Sequence, residues 1–442
     1  MSAAEPYRGA TSSTPSARQI ALDLVGAVLR RKRALDEAIE EHALMGELSA
    51  RDRAFARLLV ATVLRRLGQI DRLIADCLNT PLAARAAIIH DVLRLGIAQL
   101  LFLRTPPHAA VATSVDLAHQ RGFLTHKGLV NAVLRRLSVE GAGRLEGYDA
   151  ARLNTPGWLW ESWNNAYGEE RARAIADAHL KEAPLDLTLR CDDAAWCEKL
   201  QAIRLPTGSL RRQAGGSVTS LPGYAEGAWW IQDAAASLPV RLFNGIAGRD
   251  VVDLCAAPGG KTAQLASAGA RVTAVDRSAR RLDRLVANLR RLCLPVSPIA
   301  ADAMTWRPEQ PVDAVLLDAP CTATGAIRRH PDVPHLKQPE DVTRLAVVQD
   351  NLLRAAVDML RPGGTLVYCT CSLEPEEGPN RVAALLQSGS PIERCPITPA
   401  QIGAPPEWLT SQGDLRTLPC HLPEVDGIDG FYAARLVKSA TA

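Results

Sequence analysis

The chain has 442 residues, 47% of them hydrophobic and 22% charged, with a net charge of only +3. That length and balance predict two or three globular domains with sizeable cores, and exclude a disordered or globally basic nucleic-acid-binding chain. The ten cysteines follow no disulfide spacing and no apolar run approaches the ~18 residues of a membrane helix. The expectation is therefore a reduced cytoplasmic protein with no membrane contact.

Residues 1–14 are small and polar and are expected to be a disordered tail. From Pro15 the spacing becomes helical. Ile20, Leu24, Val28 and Leu35 fall on one face. A second helix opens at Ser49 and runs to Arg65 and Arg66. A third follows Pro81, Pro106–Pro107 interrupts, and two more carry Val111 to Leu117 and residues 128–137. Residues 15–140 thus read as an all-α domain with short connections. It holds 18 Lys and Arg against 12 Asp and Glu, with arginines grouped at 30–33, 65–66 and 135–136. Each group alone fits a solvated helix end, but three together favour an RNA-facing surface.

A glycine-rich stretch at 140–156 marks a boundary. The next segment is aromatic-dense, with Trp158, Trp160, Trp163 and Tyr167, and reads as two short helices. A strand at 185–190 and a helix at 194–202 complete a small α+β module over 156–226. Residues 229–233 lead into an expected helix ending near Leu242.

From 227 to 442 short apolar runs alternate with helical patterns. Strands are expected at 251–254, 271–276, 296–300, 312–318, 364–368 and 430–436, with helices from 261 and over 278–292, 341–360 and 376–387. This alternation predicts a parallel, doubly wound sheet, in which ligands bind at the carboxyl ends of the strands.

The candidate chemistry gathers there. The first strand ends in Cys255-Ala256-Ala257-Pro258-Gly259-Gly260-Lys261-Thr262. A P-loop would need glycine where Cys255 stands, so that match fails. What remains is a loop for a nucleoside cofactor, or a plain tight turn. Asp276, Asp302 and Asp318 follow successive strands. One such aspartate is usually a cap or turn residue, but three beside a glycine loop are better explained by a bound nucleoside. The loop lacks the three-glycine dinucleotide pattern, which favours S-adenosylmethionine over NAD. Cys321 and Cys371 each follow a strand end. A thiolate and a methyl donor together solve one definite problem. Carbon 5 of cytosine is a poor nucleophile until a thiolate adds at carbon 6, and a second group must later remove the carbon-5 proton. Asp318 could bond ring N3 and favour the addition. No histidine or cysteine spacing suggests a metal.

Leu254 to Thr262, Asp318-Ala-Pro-Cys321 and Cys369-Thr-Cys-Ser372, with Trp230-Ile-Gln-Asp233, resemble the Sun/Fmu (NOL1/NOP2) family of RNA cytosine-C5 methyltransferases. The resemblance implies an all-α NusB-like N-terminal domain that binds RNA, a small RNA-binding α+β module and a Rossmann-like S-adenosylmethionine-dependent catalytic domain over 227–442. It implies Cys371 as nucleophile, Cys321 as the cysteine that assists release, and residues 255–261, Asp276, Asp302 and Asp318 as the cofactor site. The helical domain narrows the expected substrate to small-subunit rRNA, at cytosine 967 of 16S rRNA; a monomer is expected separately. The alternatives are the same chemistry on tRNA or another rRNA site, and a non-catalytic RNA-binding assembly factor. The family often has Ser-Gly-Thr-Gly after the first cysteine, whereas this chain has Thr322-Ala-Thr-Gly325.

Overall fold

The computed structural model describes residues 16–213, 215–403 and 405–440. The expected tail at 1–14 lies outside the described residues. The chain divides into two compact units between Asn154 and Thr155.

The first unit is helical. Ser16 caps helix Ala17–Leu29 through a reciprocal bond with Gln19, and Ser49 caps Ala50–Arg65 by accepting from the Asp52 N–H. These caps satisfy helix-end donors that would otherwise be orphaned. Helices Ala87–Ile97, Pro107–Gln120 and Lys127–Glu146 follow. Ile20, Leu24, Val28, Leu59, Val63 and Leu134 are among its buried core. Two features differ from the pattern reading. A helix Leu67–Cys77 begins directly at Arg66 with no side-chain cap to announce it. The glycine-rich stretch does not break the last long helix, which continues to Glu146. Gly141 is tolerated because the Leu101 side chain packs where its Cβ would stand, 2.8 Å away, which offsets the ~1 kcal/mol cost of a helical glycine. Several clustered arginines have internal partners: Arg30 pairs with Asp91, Arg33 with Glu41 and Arg136 with Glu140.

The second unit opens with helices Gly157–Tyr167 and Glu169–His179. A small antiparallel sheet follows, made of β1 (Leu185–Leu189), β2 (Ile203–Arg204), β3 (Leu210–Arg212) and β4 (Trp229–Ile231), in the order β2-β3-β1-β4. The helix expected near 229–242 is absent. Trp229 and Trp230 extend into β4, the Gln232 N–H bonds Asp186 O, and only a short turn, Pro239–Leu242, is helical. Tryptophan favours a pleated, half-buried surface, and here the pairing with β1 decides.

The large sheet comprises β5 (Asp250–Leu254), β6 (Arg271–Asp276), β7 (Ser297–Ala300), β8 (Val312–Asp318), β9 (Leu360–Thr370), β10 (Ile392–Arg394), β11 (Leu415–Thr417) and β12 (Phe431–Lys438). Its order is β10-β12-β9-β8-β5-β6-β7, with β11 beside β12. Alternate residues face opposite layers. Val251, Leu316 and Val367 join one core, and Val252, Leu317 and Tyr368 the other. Helices Gly260–Ser267, Ala279–Arg291 and Pro339–Met359 follow β5, β6 and the β8 loop. The fold is Rossmann-like, but the sheet is mixed rather than wholly parallel. β5 to β9 pair in parallel, whereas β12 is antiparallel to β9, β10 and β11. The chain returns at the carboxyl end of β9, where the Gly430 N–H bonds Gly325 O and Tyr432 pairs with Thr370, so the last strand must run backwards. That reversal carries Phe431 to the edge where the parallel strands end. The strand order switches between β5 and β8, the place where such sheets bind ligands.

Candidate active site

The loop after β5 is shaped by its small residues. Cys255 and Gly259 have positive φ, +59° and +102°. A side chain at 259 would press on Leu285, whose Cγ lies 2.7 Å from the position of a Cβ. The loop separates two cavities. The smaller, of about 100 Å³, is bounded by Cys255, Asp276, Asp302, Pro320 and Leu352. The larger, of about 560 Å³, is lined by Ala256, Pro258, Gly259, Gly260 and Lys261 together with Asp253, Asp318 and Cys371. The expected cofactor residues are therefore divided between the two, and Ala257 lines neither.

On the smaller side, backbone groups hold the carboxylates. Asp276 accepts from the N–H of Ala257 at 3.2 Å and of Ser278 at 2.9 Å, and the Arg281 guanidinium lies 3.5 Å away. Arg281 also donates to Ala257 O, tying loop to helix. Asp302 is exposed and accepts from the Met304 N–H at 2.9 Å. Burial pushes the Cys255 thiol up to about 12, with Asp318 and Asp276 adding to the effect. It is a wall residue, not a reactive thiol.

On the larger side, titratable side chains hold one another. Lys261 Nζ donates to Asp318 Oδ2 at 2.8 Å and stands 4.7 Å from the centre of the Phe431 ring. Burial opposes the ammonium charge, but the Asp318 carboxylate outweighs it and holds Lys261 above the usual lysine range. The Cys369 thiol lies 3.6 Å from Asp318 Oδ1 and is pushed well up by burial, then by that carboxylate. Cys321 and Cys371 meet at 3.5 Å between their sulfurs, brought together by the adjacent ends of β8 and β9. The bond with Cys371, followed by burial, raises the Cys321 thiol well above its ordinary value. Cys371 lines the larger cavity.

The loop after Cys321 is held by a buried carboxyl. Glu377 accepts from the Thr322 N–H and hydroxyl and from Gln349 Nε2. Ala323 occupies the left-handed region at φ +60°, where the family pattern has glycine. An alanine there carries roughly 1 kcal/mol of strain. Gly325 cannot vary, because a Cβ would sit 2.1 Å from Gly430 O.

Several residues at the site carried no sequence signal. Asp253 is fully buried and accepts from the Thr262 hydroxyl at 2.6 Å, while its other oxygen has no partner. Burial pushes its carboxyl up to about 7, against the pull of Thr262. Phe431 and Glu377 reach the site from distant segments; Arg329, in the run Arg328-Arg329-His330-Pro331 that keeps to the family pattern, joins them. Arg329 pairs with Asp233 at 2.6 Å and Asp429 at 3.1 Å, beside the buried Arg211–Asp186 pair. Among the described residues no group of His, Cys, Asp or Glu could hold a metal ion, and no helix is long and apolar enough to cross a membrane.

A family model described as 16S rRNA methyltransferase RsmB/F matches residues 242–437, and a NusB family model matches 15–138. Ribosomal RNA small subunit methyltransferase B of Cronobacter sakazakii is 34% identical over 441 residues, covering 95% of this chain and 98% of its own. The chain belongs to the 16S rRNA methyltransferase RsmB/F family. The Vibrio cholerae protein of the same name is 35% identical, covering 90% of this chain and 92% of its own. The solved structure of PH0851 shares the fold, with a TM-score of 0.75 and 22% identity over 96% of this chain and 99% of that one. As an RsmB/F member the chain is an rRNA methyltransferase, and the two cavities on either side of residues 255–261 are its candidate active site.

Proposed function

We propose that this enzyme methylates carbon 5 of a cytosine in small-subunit rRNA, the position corresponding to cytosine 967 of 16S rRNA, through a covalent intermediate on Cys371. The observation that carries this reading is the pair of sulfurs, Cys321 and Cys371, 3.5 Å apart, of which Cys371 lines the cavity that Asp318 and Lys261 also line. One cysteine can be a buried bystander. Two in contact at the ends of neighbouring strands match a reaction that needs both a nucleophile and a base.

The smaller cavity, about 100 Å³, takes the nucleoside end of S-adenosylmethionine, and the glycine loop takes the rest. Asp276 and Asp302 offer carboxylate oxygens towards hydroxyl or amino groups of a nucleoside, and Gly259 and Gly260 leave the loop open on the other side. When bound, S-adenosylmethionine supplies an electrophilic methyl group. The larger cavity takes the target cytosine. The Cys371 thiolate adds to carbon 6, forming a C–S bond, and the ring electrons move to make carbon 5 nucleophilic. Asp318 meets the N3–N4 edge of the base. Lys261, 2.8 Å away, offsets the negative charge that develops on the ring. Once methylated, carbon 5 still bears its proton. Cys321, having given up its own proton to solvent once Cys371 is committed to the C–S bond, removes the carbon-5 proton as a thiolate; the C–S bond breaks and Cys371 is regenerated as a thiolate. The RNA enters past Tyr224, Ile231, Arg284 and Arg291, which line the larger cavity. A base must leave its stack to reach such a site. The helical unit and the small sheet module serve as RNA-binding parts of the same enzyme.

The test is to incubate the protein with labelled S-adenosylmethionine and unmodified small-subunit rRNA and to map the product. Label at one cytosine carbon 5 supports the reading. Transfer only to tRNA or to another rRNA site moves the substrate, and RNA binding without transfer would leave an assembly factor.

A further inference from the structure

The aromatic helix Gly157–Tyr167 has no part in the chemistry above, yet it grips the loop that carries Cys371. Trp163 and Tyr167 are four residues apart and share one helix face. The Tyr167 hydroxyl donates to Leu373 O. Trp163 Nε1 donates to Glu374 Oε1 at 3.2 Å and the Ser162 hydroxyl donates to Oε2. Trp163 and Glu374 are each 1% exposed. Burial raises the Glu374 carboxyl, against the bonds from Ser162, Thr324 and Trp163.

The remainder of the loop is held from other directions. The Gly325 N–H donates to Cys371 O at 2.9 Å. Arg416 Nη1 donates to Ser372 O at 2.6 Å. The Leu373 N–H donates to Thr324 Oγ1 at 2.9 Å, and the Glu374 N–H to Ser372 Oγ at 3.0 Å. Three consecutive carbonyls, at 371, 372 and 373, thus each have a donor, and the three donors come from separate parts of the chain. Most loops run over the surface and are mobile. This one cannot move without breaking buried bonds, each costly to leave unmade. Of the three donors, only Tyr167 lies outside the 227–442 segment that the sequence assigns to catalysis.

We propose that helix Gly157–Tyr167 is a positioning element of the methyl-transfer reaction: through Ser162, Trp163 and Tyr167 it fixes the loop that aims Cys371 at the base. This rests on the proposed role of Cys371. An attacking group displaced by about 1 Å can cost up to roughly 100-fold in rate while leaving ground-state binding intact. The effect therefore belongs in kcat and not in KM.

The test uses full-length Tyr167→Phe, Ser162→Ala and the double variant, with Cys371→Ala alongside. Both single changes are small, and unfolding midpoints monitor the fold. The double variant is expected to lose about 10-fold in kcat, with unchanged KM for RNA and unchanged S-adenosylmethionine affinity. The rate of covalent capture by RNA carrying 5-fluorocytosine is expected to fall in parallel. Glu374→Gln, which keeps an acceptor for Trp163, is expected to retain most activity. Wild-type kcat in the double variant, with Cys371→Ala inactive, overturns the positioning role. So does a fall in kcat that merely tracks lost cofactor affinity and a lower melting point. Full turnover by Cys371→Ala overturns instead the nucleophile assignment on which the inference rests.

Discussion

The two sides of the loop 255–261 are built on different plans. Towards Asp276 and Asp302, carboxylates are fixed by backbone N–H groups of Ala257, Ser278 and Met304. Towards Asp318, side chains that can gain or lose a proton hold one another: Lys261 with Asp318, and Cys321 with Cys371. A carboxylate pinned by the backbone keeps its place and its acceptor character, which suits recognition. A pair of titratable side chains can pass a proton, which suits chemistry. The contrast suggests that binding and catalysis are separable on this sheet edge.

Substitutions can break that separation. The largest effect is expected from Cys371→Ala, which removes the proposed nucleophile. Turnover should fall by at least about 1,000-fold, while calorimetry should find S-adenosylmethionine affinity within about 2-fold of wild type. Asp276→Ala should do the reverse. Losing charge-assisted bonds from the pinned carboxylate should weaken cofactor binding by about 10-fold or more, with kcat at saturating cofactor little changed. If both variants damage both quantities, the two sides are one unit and the contrast is wrong.

A smaller effect on activity is expected at Asp253, which lies beneath the loop. Its folded pKa, about 7, is above the ordinary carboxylate value of 3.8. The folded state therefore holds the proton more tightly than the unfolded chain. The stability this contributes is complete below about pH 4 and is lost as pH rises towards about 7. Asp253→Asn should flatten that decline, so its melting temperature should gain on the wild type across this window. A constant difference between the two proteins from pH 4 to 8 would show that Asp253 does not titrate there.

Much of this architecture could be read in the sequence, for physical reasons that also explain the gaps. Val251 to Gly260 is legible because a β-branched run, small residues and a following helix are all local features. The helices around Leu24 and Leu59 show their 3.6-residue period directly. Helix Leu67–Cys77 was hidden because its start at Arg66 lacks a capping side chain. The direction of β12 was not legible, because an apolar strand reads alike both ways. It is set by where the preceding loop meets Gly325. Within the site, the motifs announced Cys321, Cys371 and the aspartates, but not what touches them. Lys261 and Asp318 are 57 residues apart, and Tyr167 and Leu373 are 206 apart. No local pattern encodes such a meeting. Glu374, Glu377 and Phe431 carry no local signal for the same reason.

The central claim is that Cys371 attacks the base and Cys321 lets the product go. Its most direct measurement is a denaturing gel of Cys321→Ala incubated with S-adenosylmethionine and small-subunit rRNA bearing the target cytosine. The account predicts a retarded protein–RNA band that disappears when Cys371→Ala is added to the same chain. No retarded band, or one that survives in the double variant, would contradict it.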